Sequence, residues 1–229
     1  MDYTFQFGIV LEHMPRLLAG AWLTIRLSAG AFVAGLLVAM LCAFLRRSGP
    51  KPVRLLVVAY VEVIRNTPLL VQLFVIYFSL PAIGLRFDAG EAALLGLTLN
   101  FGGYATEIIR SGVEAVPRGQ IEAGRALGLS WFRIFRHVVL FQALATAYPA
   151  LASQFILLLL GSSIVSAISA EELAAVTNTL QSTTFRAFEF YFVATGLYLA
   201  MALGFRATLD ALHWLVFVRG RPARQAGGR

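Results

Sequence analysis

The sequence predicts an all-α protein integral to a membrane, and three observations carry that prediction. Apolar residues make up 59% of the chain and charged residues 14%, against roughly 45–50% and about 25% in a soluble domain. The charges fall between uncharged stretches, most of them near the length of about 20 helical residues that crosses a hydrocarbon core. The net charge of +7 therefore gathers at the ends of those stretches. There it orients a membrane protein rather than forming a solvated face that grips phosphates, so no nucleic-acid partner is expected.

Five spans are expected. Residues 27–45 carry no charge and follow the apolar segment 17–25, which places the first span within 20–45. The second is 66–85, approached through 60–65; the third is 92–106, extended by 107–109. Residues 138–170 exceed one span and contain Pro149. The fourth span is therefore expected to kink or break near that proline, which removes a helix hydrogen bond. The fifth is 190–205, running on toward 218. All are read as helices because an open sheet leaves backbone groups unsatisfied in lipid.

With five spans, one side collects Arg46, Arg47, Lys51 and Arg54, then Arg110, Arg118, Arg125, Arg133 and Arg136, then Arg219, Arg221, Arg224 and Arg229. The other side holds Arg16, Arg86 and Arg186. Basic loops stay in the cytoplasm, so the N-terminus is expected outside and the C-terminus inside. The expected organisation is an outer N-terminal segment at 1–19, one membrane domain at 20–218 with a long inner loop at 110–136, and a basic inner tail at 219–229. Residues 1–18 lack a basic start followed by an apolar run, so the first run is expected to remain as an anchor. No internal repeat or low-complexity linker is visible.

Several chemistries are not supported. Cys42 is the only cysteine, and His13, His137 and His213 are scattered without ligand spacing, so no metal site is expected. The sole lysine, Lys51, is not part of a phosphate-binding glycine loop. Any ATP must be hydrolysed by another subunit.

The inner loop has local structure of its own. Pro117 can open a helix, Glu122 in its early turns suits the positive end of the dipole, Gly128 is a left-handed stop, and Ser130 can cap the next helix. A helix of about ten residues is marginal in water unless it docks on something. Ala123, Ala126 and Leu127 give it a shallow apolar edge suited to a groove in another protein; the alternative is a helix lying on the membrane surface.

In the third span, Gly96, Asn100, Gly103 and Glu107 share one helix face. Such a stripe is either a packing seam or the lining of a watery cavity. The cavity reading is preferred for Asn100 and Glu107, with pairing of Glu107 to Arg110 or Arg65 as the alternative. In the fourth span, Gln154 and Gly161-Ser162-Ser163 are the polar interruptions.

Glu122-Ala123-Gly124, with Gly128 four residues on, resembles the Glu-Ala-Ala…Gly signature of ABC importer permeases. The chain departs from it at Gly124, and Val139-Leu140-Phe141 stands where Ile-Leu-Pro is usual. The stretches 60–73 (with Arg65, Thr67, Pro68 and Gln72) and 100–110 resemble the second and third spans of the polar amino-acid branch. The matches run from about 20 to 205.

That resemblance implies a type I importer permease with five transmembrane helices in the bacterial inner membrane, N-terminus periplasmic and C-terminus cytoplasmic. It implies a non-enzymatic subunit that moves a polar amino acid delivered by a periplasmic binding protein. Gln120, Glu122, Ala123, Gly124, Ala126, Leu127 and Gly128 would form a coupling helix seated in a cytoplasmic ATPase, two copies of which hold ATP and Mg. The pathway would be lined by Asn100, Tyr104, Glu107, Gln154, Gly161, Ser162 and Ser163. Similar permeases often carry Lys-Asp-Thr-Ser where this chain has Leu160-Gly161-Ser162-Ser163. The missing charged pair favours a heterodimer with a related permease over a homodimer. A self-contained secondary transporter, the alternative function, would need its own ion site and usually internal repeats.

Overall fold

The computed structural model describes residues 4–218, and no strand occurs among them; the basic tail at 219–229 lies outside the described residues. A short α1 (Phe7–Glu12) leads into α2 (Met14–Ser48). After a break at Gly49 and Pro50 come α3 (Lys51–Arg65) and α4 (Leu69–Phe74), the latter continued as π and 3-10 turns to Ile83. Next are α5 (Ala89–Glu114), the short α6 (Arg118–Ala126) and α7 (Trp131–Ile134). A π segment then joins α7 to α8 (Leu140–Gly161), which ends in 3-10 turns to Ile168. Finally α9 (Leu173–Thr184) precedes α10 (Ala187–His213), extended by a π turn to Val218.

Among the described residues, Met14–Ser48, Trp131–Ile168 and Ala187–Phe217 are each long and apolar enough to cross a membrane, and Lys51–Arg65 with Leu69–Ile83 form a pair bent by 112°. The helix from Trp131 to Ile168 is uninterrupted at Pro149, against the expected break there; its departures from α geometry fall at 135–139 and 162–168 instead. The irregularity sits where the helix leaves the hairpin formed by α6 and α7 and where three serines bond back to preceding carbonyls: Ser162 to Leu159, Ser163 to Leu160 and Ser166 to Ser163.

α5 is the hub, packed on α2, α3, α4 and α8. Small residues set how closely its neighbours approach. A Cβ at Gly35 of α2 would lie 2.9 Å from the Thr98 carbonyl of α5, so only glycine admits that crossing. In lipid, where no hydrophobic force joins helices, close van der Waals approach of this kind supplies association. Register fixes direction. Gly30 meets Leu94, Gly35 meets Thr98 and Arg46 meets Glu107, so α2 and α5 run the same way. Gly96 meets Leu73 and Ile76 while Asn100 meets Gln72, so α4 runs against α5. α8 also opposes α5, because Gly112 faces Ala143 while Phe101 and Phe155 both meet Phe32. α10 opposes α8, through Phe155–Phe205 and Tyr148–Leu209.

At the end farthest from the hairpin, Glu172 is fully buried and ties three helices together. Its carboxylate accepts from the Ala175 amide at 3.0 Å and from Tyr198 at 2.6 Å, and lies 3.2 Å from the Thr24 hydroxyl. A buried carboxylate requires that set of donors. Sequence alone does not single out this strut: spacing cannot join Thr24, Glu172 and Tyr198, and Glu172 looks like an ordinary loop acid.

Candidate functional site: a cavity at a broken helix and an exposed hairpin

The break between α3 and α4 is written in the residues that resembled the second-span signature. Pro68 disfavours helical geometry at Thr67 and ends α3 there. Ending a helix leaves its last four carbonyls without partners, which is costly away from water. Here each is supplied. Glu62 O accepts from the Asn66 backbone N–H at 3.0 Å and its side chain at 2.8 Å, Val63 O from Thr67 Oγ1 at 2.7 Å, and Ile64 O from Gln72 Nε2 at 2.9 Å. Arg65 O receives the more distant Tyr104 hydroxyl at 3.4 Å. Gln72 also donates to Thr67 O, and its own Oε1 accepts from Asn100 Nδ2 at 3.0 Å. Asn100 thereby connects α5 to the broken helix.

Beside this break lies a cavity of about 300 Å³ lined by Thr67, Pro68, Leu69, Asn100, Tyr104, Gln154, Leu157, Leu158 and Gly161. Four of the expected pathway residues, Asn100, Tyr104, Gln154 and Gly161, come together here with Thr67 and Pro68. Among the described residues, no charged side chain lines it. Gln154 is half-buried with an amide that meets no hydrogen-bond partner among the described residues, so it is available to a guest. Arg65 stands at the edge, its guanidinium over the Tyr104 ring at 5.8 Å.

Three expected residues are elsewhere. Ser162 is buried and Ser163 donates to its own helix. Glu107 does not face the cavity: it forms ion pairs with Arg46 of α2 and with Arg110 at 2.8 Å, and Arg110 pairs in turn with Glu114 at 2.5 Å. The stripe on α5 therefore divides. Gly96 and Gly103 are a packing seam, where a Cβ would stand 2.6 Å from Leu73 and from Ile64 respectively. Asn100 faces the cavity, and Glu107 clamps α5 to α2.

The hairpin at the other end is held by a small core of Val116, Ile134, Val139 and Ala143, with Ile121 and Leu129 against it. α6 has nine residues, with Pro117 at its N-cap position. It ends through Gly128 at φ +72°, with Gly128 N–H donating to Arg125 O at 2.9 Å and Leu129 N–H to Gly124 O at 3.1 Å. This is the Schellman arrangement, which satisfies carbonyls the helix would otherwise leave open. Gly124 is buried against Ile134, and a Cβ there would lie 3.0 Å from that side chain, so glycine fits the spot tightly packed by isoleucine.

One local expectation is corrected: Ser130 occupies the N-cap position of α7 but makes no side-chain capping bond. Glu122 is the fifth residue of α6, in its second turn, and the first turn holds no acid and begins with Arg118. Glu122, Ala123, Ala126 and Leu127 are exposed, Leu127 by 79%. Gln120 accepts from Gln142 of α8 at 2.6 Å, and Arg47 of α2 lies over the Trp131 ring at 4.7 Å. The hairpin is therefore fastened to two long helices while one apolar edge is left uncovered.

A family model described as "Binding-protein-dependent transport system inner membrane component" matches residues 31–213. The chain belongs to that family. It is a multi-pass inner-membrane protein related to amino-acid ABC transporter permeases. It is 39% identical to the L-cystine transport system permease of Bacillus subtilis, over 69% of this chain and 68% of that protein. It is 36% identical to the nopaline transport system permease of Agrobacterium fabrum, over 83% of each. In structure it is similar to an amino acid ABC transporter crystallised with histidines, with a TM-score of 0.85, 36% identity, and coverage of 92% of this chain and 99% of that one. A methionine ABC transporter in an inward-facing conformation shares the fold, with a TM-score of 0.75 at 22% identity.

Proposed function

We propose that the chain is the permease subunit of an ATP-driven importer for a polar amino acid, handed over by a periplasmic binding protein and coupled through α6 to a separate cytoplasmic ATPase. The observation that carries this reading is the hairpin. A nine-residue helix too short to persist alone is capped, buttressed by its own core and joined to α2 and α8, yet Ala123, Ala126 and Leu127 remain bare. That combination suits a rigid projection received by a partner's cleft. Movement of two ATPase copies, which would hold the ATP and Mg, would then reach the spans as a rigid-body displacement.

The cavity supports the substrate side. A discontinuous helix with polar groups at its break is a recurrent way to place a binding site inside a membrane. Thr67, Asn100 and Gln154 offer polar side chains without fixed charge. Five crossings are supported by chain direction, because α2, α4, α5, α8 and α10 alternate. With the arginine-rich hairpin inside, the N-terminus is periplasmic and the C-terminus cytoplasmic. A homodimer would present two such uncharged linings, and a substrate's ammonium and carboxylate would lack fixed partners. We therefore favour pairing with a second, related permease that supplies them.

Assembly and transport test the reading together. The chain, its ATPase and its binding protein are co-expressed in a strain lacking other candidate permeases, with and without a related permease. The expected result is co-purification with the ATPase in both cases and full substrate-stimulated ATP hydrolysis only with the second permease. Full stimulation without it would remove the heterodimer, and failure to bind any ATPase would remove the coupling role. Orientation is read by placing a cysteine at 88 or at 118: only the first should react with an impermeant thiol reagent from outside.

A further inference from the structure

Between Arg16 and Arg46, the only charged residue of α2 is Arg26. A charge within a span ordinarily faces a bundle interior or an aqueous path. Arg26 does neither. It is exposed, and among the described residues no carboxylate or hydrogen-bond acceptor meets it. It shares a face with Trp22, Val33, Leu37 and Phe44, all exposed by 59–64%. The opposite face of α2 carries the buried Gly20, Thr24, Ala31, Gly35 and Ala39 that pack on α5 and α9.

Its depth is fixed twice over. Arg26 precedes Arg46 by 20 positions, a rise of about 30 Å, which is the thickness of the hydrocarbon core. Gly30, one turn on, meets Leu94, which puts Arg26 level with the first turn of α5, where Asp88 and Glu91 close the capping box. Arg26 therefore sits at the headgroup level of the leaflet opposite the hairpin. Trp22, one turn farther out, is a residue type favoured at that boundary.

We propose that Arg26 is a binding site for the phosphate of an anionic phospholipid in that leaflet, with Trp22 beside the bound headgroup. The guanidinium is weakly hydrated and presents a planar fork that matches phosphate oxygens, and its stem can carry the charge up to the headgroups. A second copy or a related permease fits this face less well. Helices that pack in lipid do so through small residues, and α2 turns Gly20, Ala31, Gly35 and Ala39 to the other side. From Val33 to Phe44 the outward stripe is bulky, with Leu37, Met40 and Leu41 exposed between them, as a lipid-facing surface is. The proposal rests on the chain's membrane-spanning placement and not on its substrate or partners.

The test uses Trp22 as the reporter. The full chain holds three tryptophans, and Trp131→Phe with Trp214→Phe leaves Trp22 alone. In nanodiscs containing equal fractions of brominated phosphatidylglycerol or brominated phosphatidylethanolamine, the anionic lipid should quench Trp22 preferentially. One arginine at a charged surface corresponds to a preference of about fivefold. Arg26→Gln should bring the preference to unity, and Arg26→Lys should keep part of it. Equal quenching by both lipids with Arg26 in place overturns the site, even if Arg26→Gln fails to insert. An unquenched Trp22 would mean that another protein chain covers this face, and an unchanged preference in Arg26→Gln would place the lipid elsewhere; either result overturns the proposal.

Discussion

The cavity and the hairpin are built on opposite principles. The hairpin is local: Pro117, Gly128 and the residues between them define it, and its small core comes from neighbouring stretches of one loop and its flanking helices. The cavity is assembled from three separated segments, with Thr67 and Pro68 at a helix break, Asn100 and Tyr104 on α5, and Gln154 and Gly161 on α8. The first holds its shape through its caps and that nearby core. The second exists only while α4, α5 and α8 keep their register. A change in the hairpin should therefore disturb transmission and spare the guest site, and a change in the cavity should do the reverse.

The sharpest test is Gly128→Val. A β-branched residue at φ +72° is strained by about 1–2 kcal/mol or more. Substrate-stimulated ATP hydrolysis by the assembled complex should fall by about tenfold, with membrane insertion and the substrate concentration at half-maximal stimulation unchanged. A shift in that concentration would break the separation of the two regions.

The converse is Gln154→Leu. It removes a free amide from the cavity, and each lost polar contact to a substrate is worth about 1–1.5 kcal/mol. The KM for uptake should rise by about tenfold, while basal ATP hydrolysis and ATPase co-purification stay as they were. Weaker ATPase binding in this variant would show that the cavity and the hairpin are not independent.

A smaller effect is expected from Gln120→Leu, which cuts the bond to Gln142 that joins α6 to α8. The contact is exposed, so the loss in coupling ratio, uptake per ATP consumed, should be about threefold or less. The smallest concerns Glu107→Gln. This carboxylate is paired with two arginines away from the cavity, and partly exposed pairs contribute about 1 kcal/mol or less. Unfolding in detergent should shift down slightly with the substrate profile unaltered. A changed profile would return Glu107 to the pathway.

Legibility from sequence followed the same divide. The helix opened at Pro117 and the left-handed stop at Gly128 could be read because each signal acts on its own neighbours. The pairing of Glu107 with Arg110 is within reach of helical spacing, but its pairing with Arg46, 61 positions away, is not, because spacing alone cannot say which helix a face meets. Of the kink or break that Pro149 predicts, the break does not occur, and the helix carries on through it; the proline's own position leaves no trace of what packs around it. Arg26 does not stand out in the sequence because a single charge at the start of an apolar run looks like its boundary.

What the sequence determined by itself is that the chain must live in lipid, that its backbone must be helical there, and that a short capped helix interrupts the long ones. These follow from composition, from the cost of unsatisfied backbone groups in hydrocarbon, and from turn chemistry acting over a few residues. The tertiary structure alone decided which polar groups became a cavity and which became clamps. Asn100 and Glu107 lie two turns apart on one face of α5, and nothing in their spacing separates them. The bent helix passes Gln72 to the first, while the end of α2 brings Arg46 to the second. A polar side chain buried in a membrane protein takes its role from the partner that satisfies it, and that partner is chosen by packing.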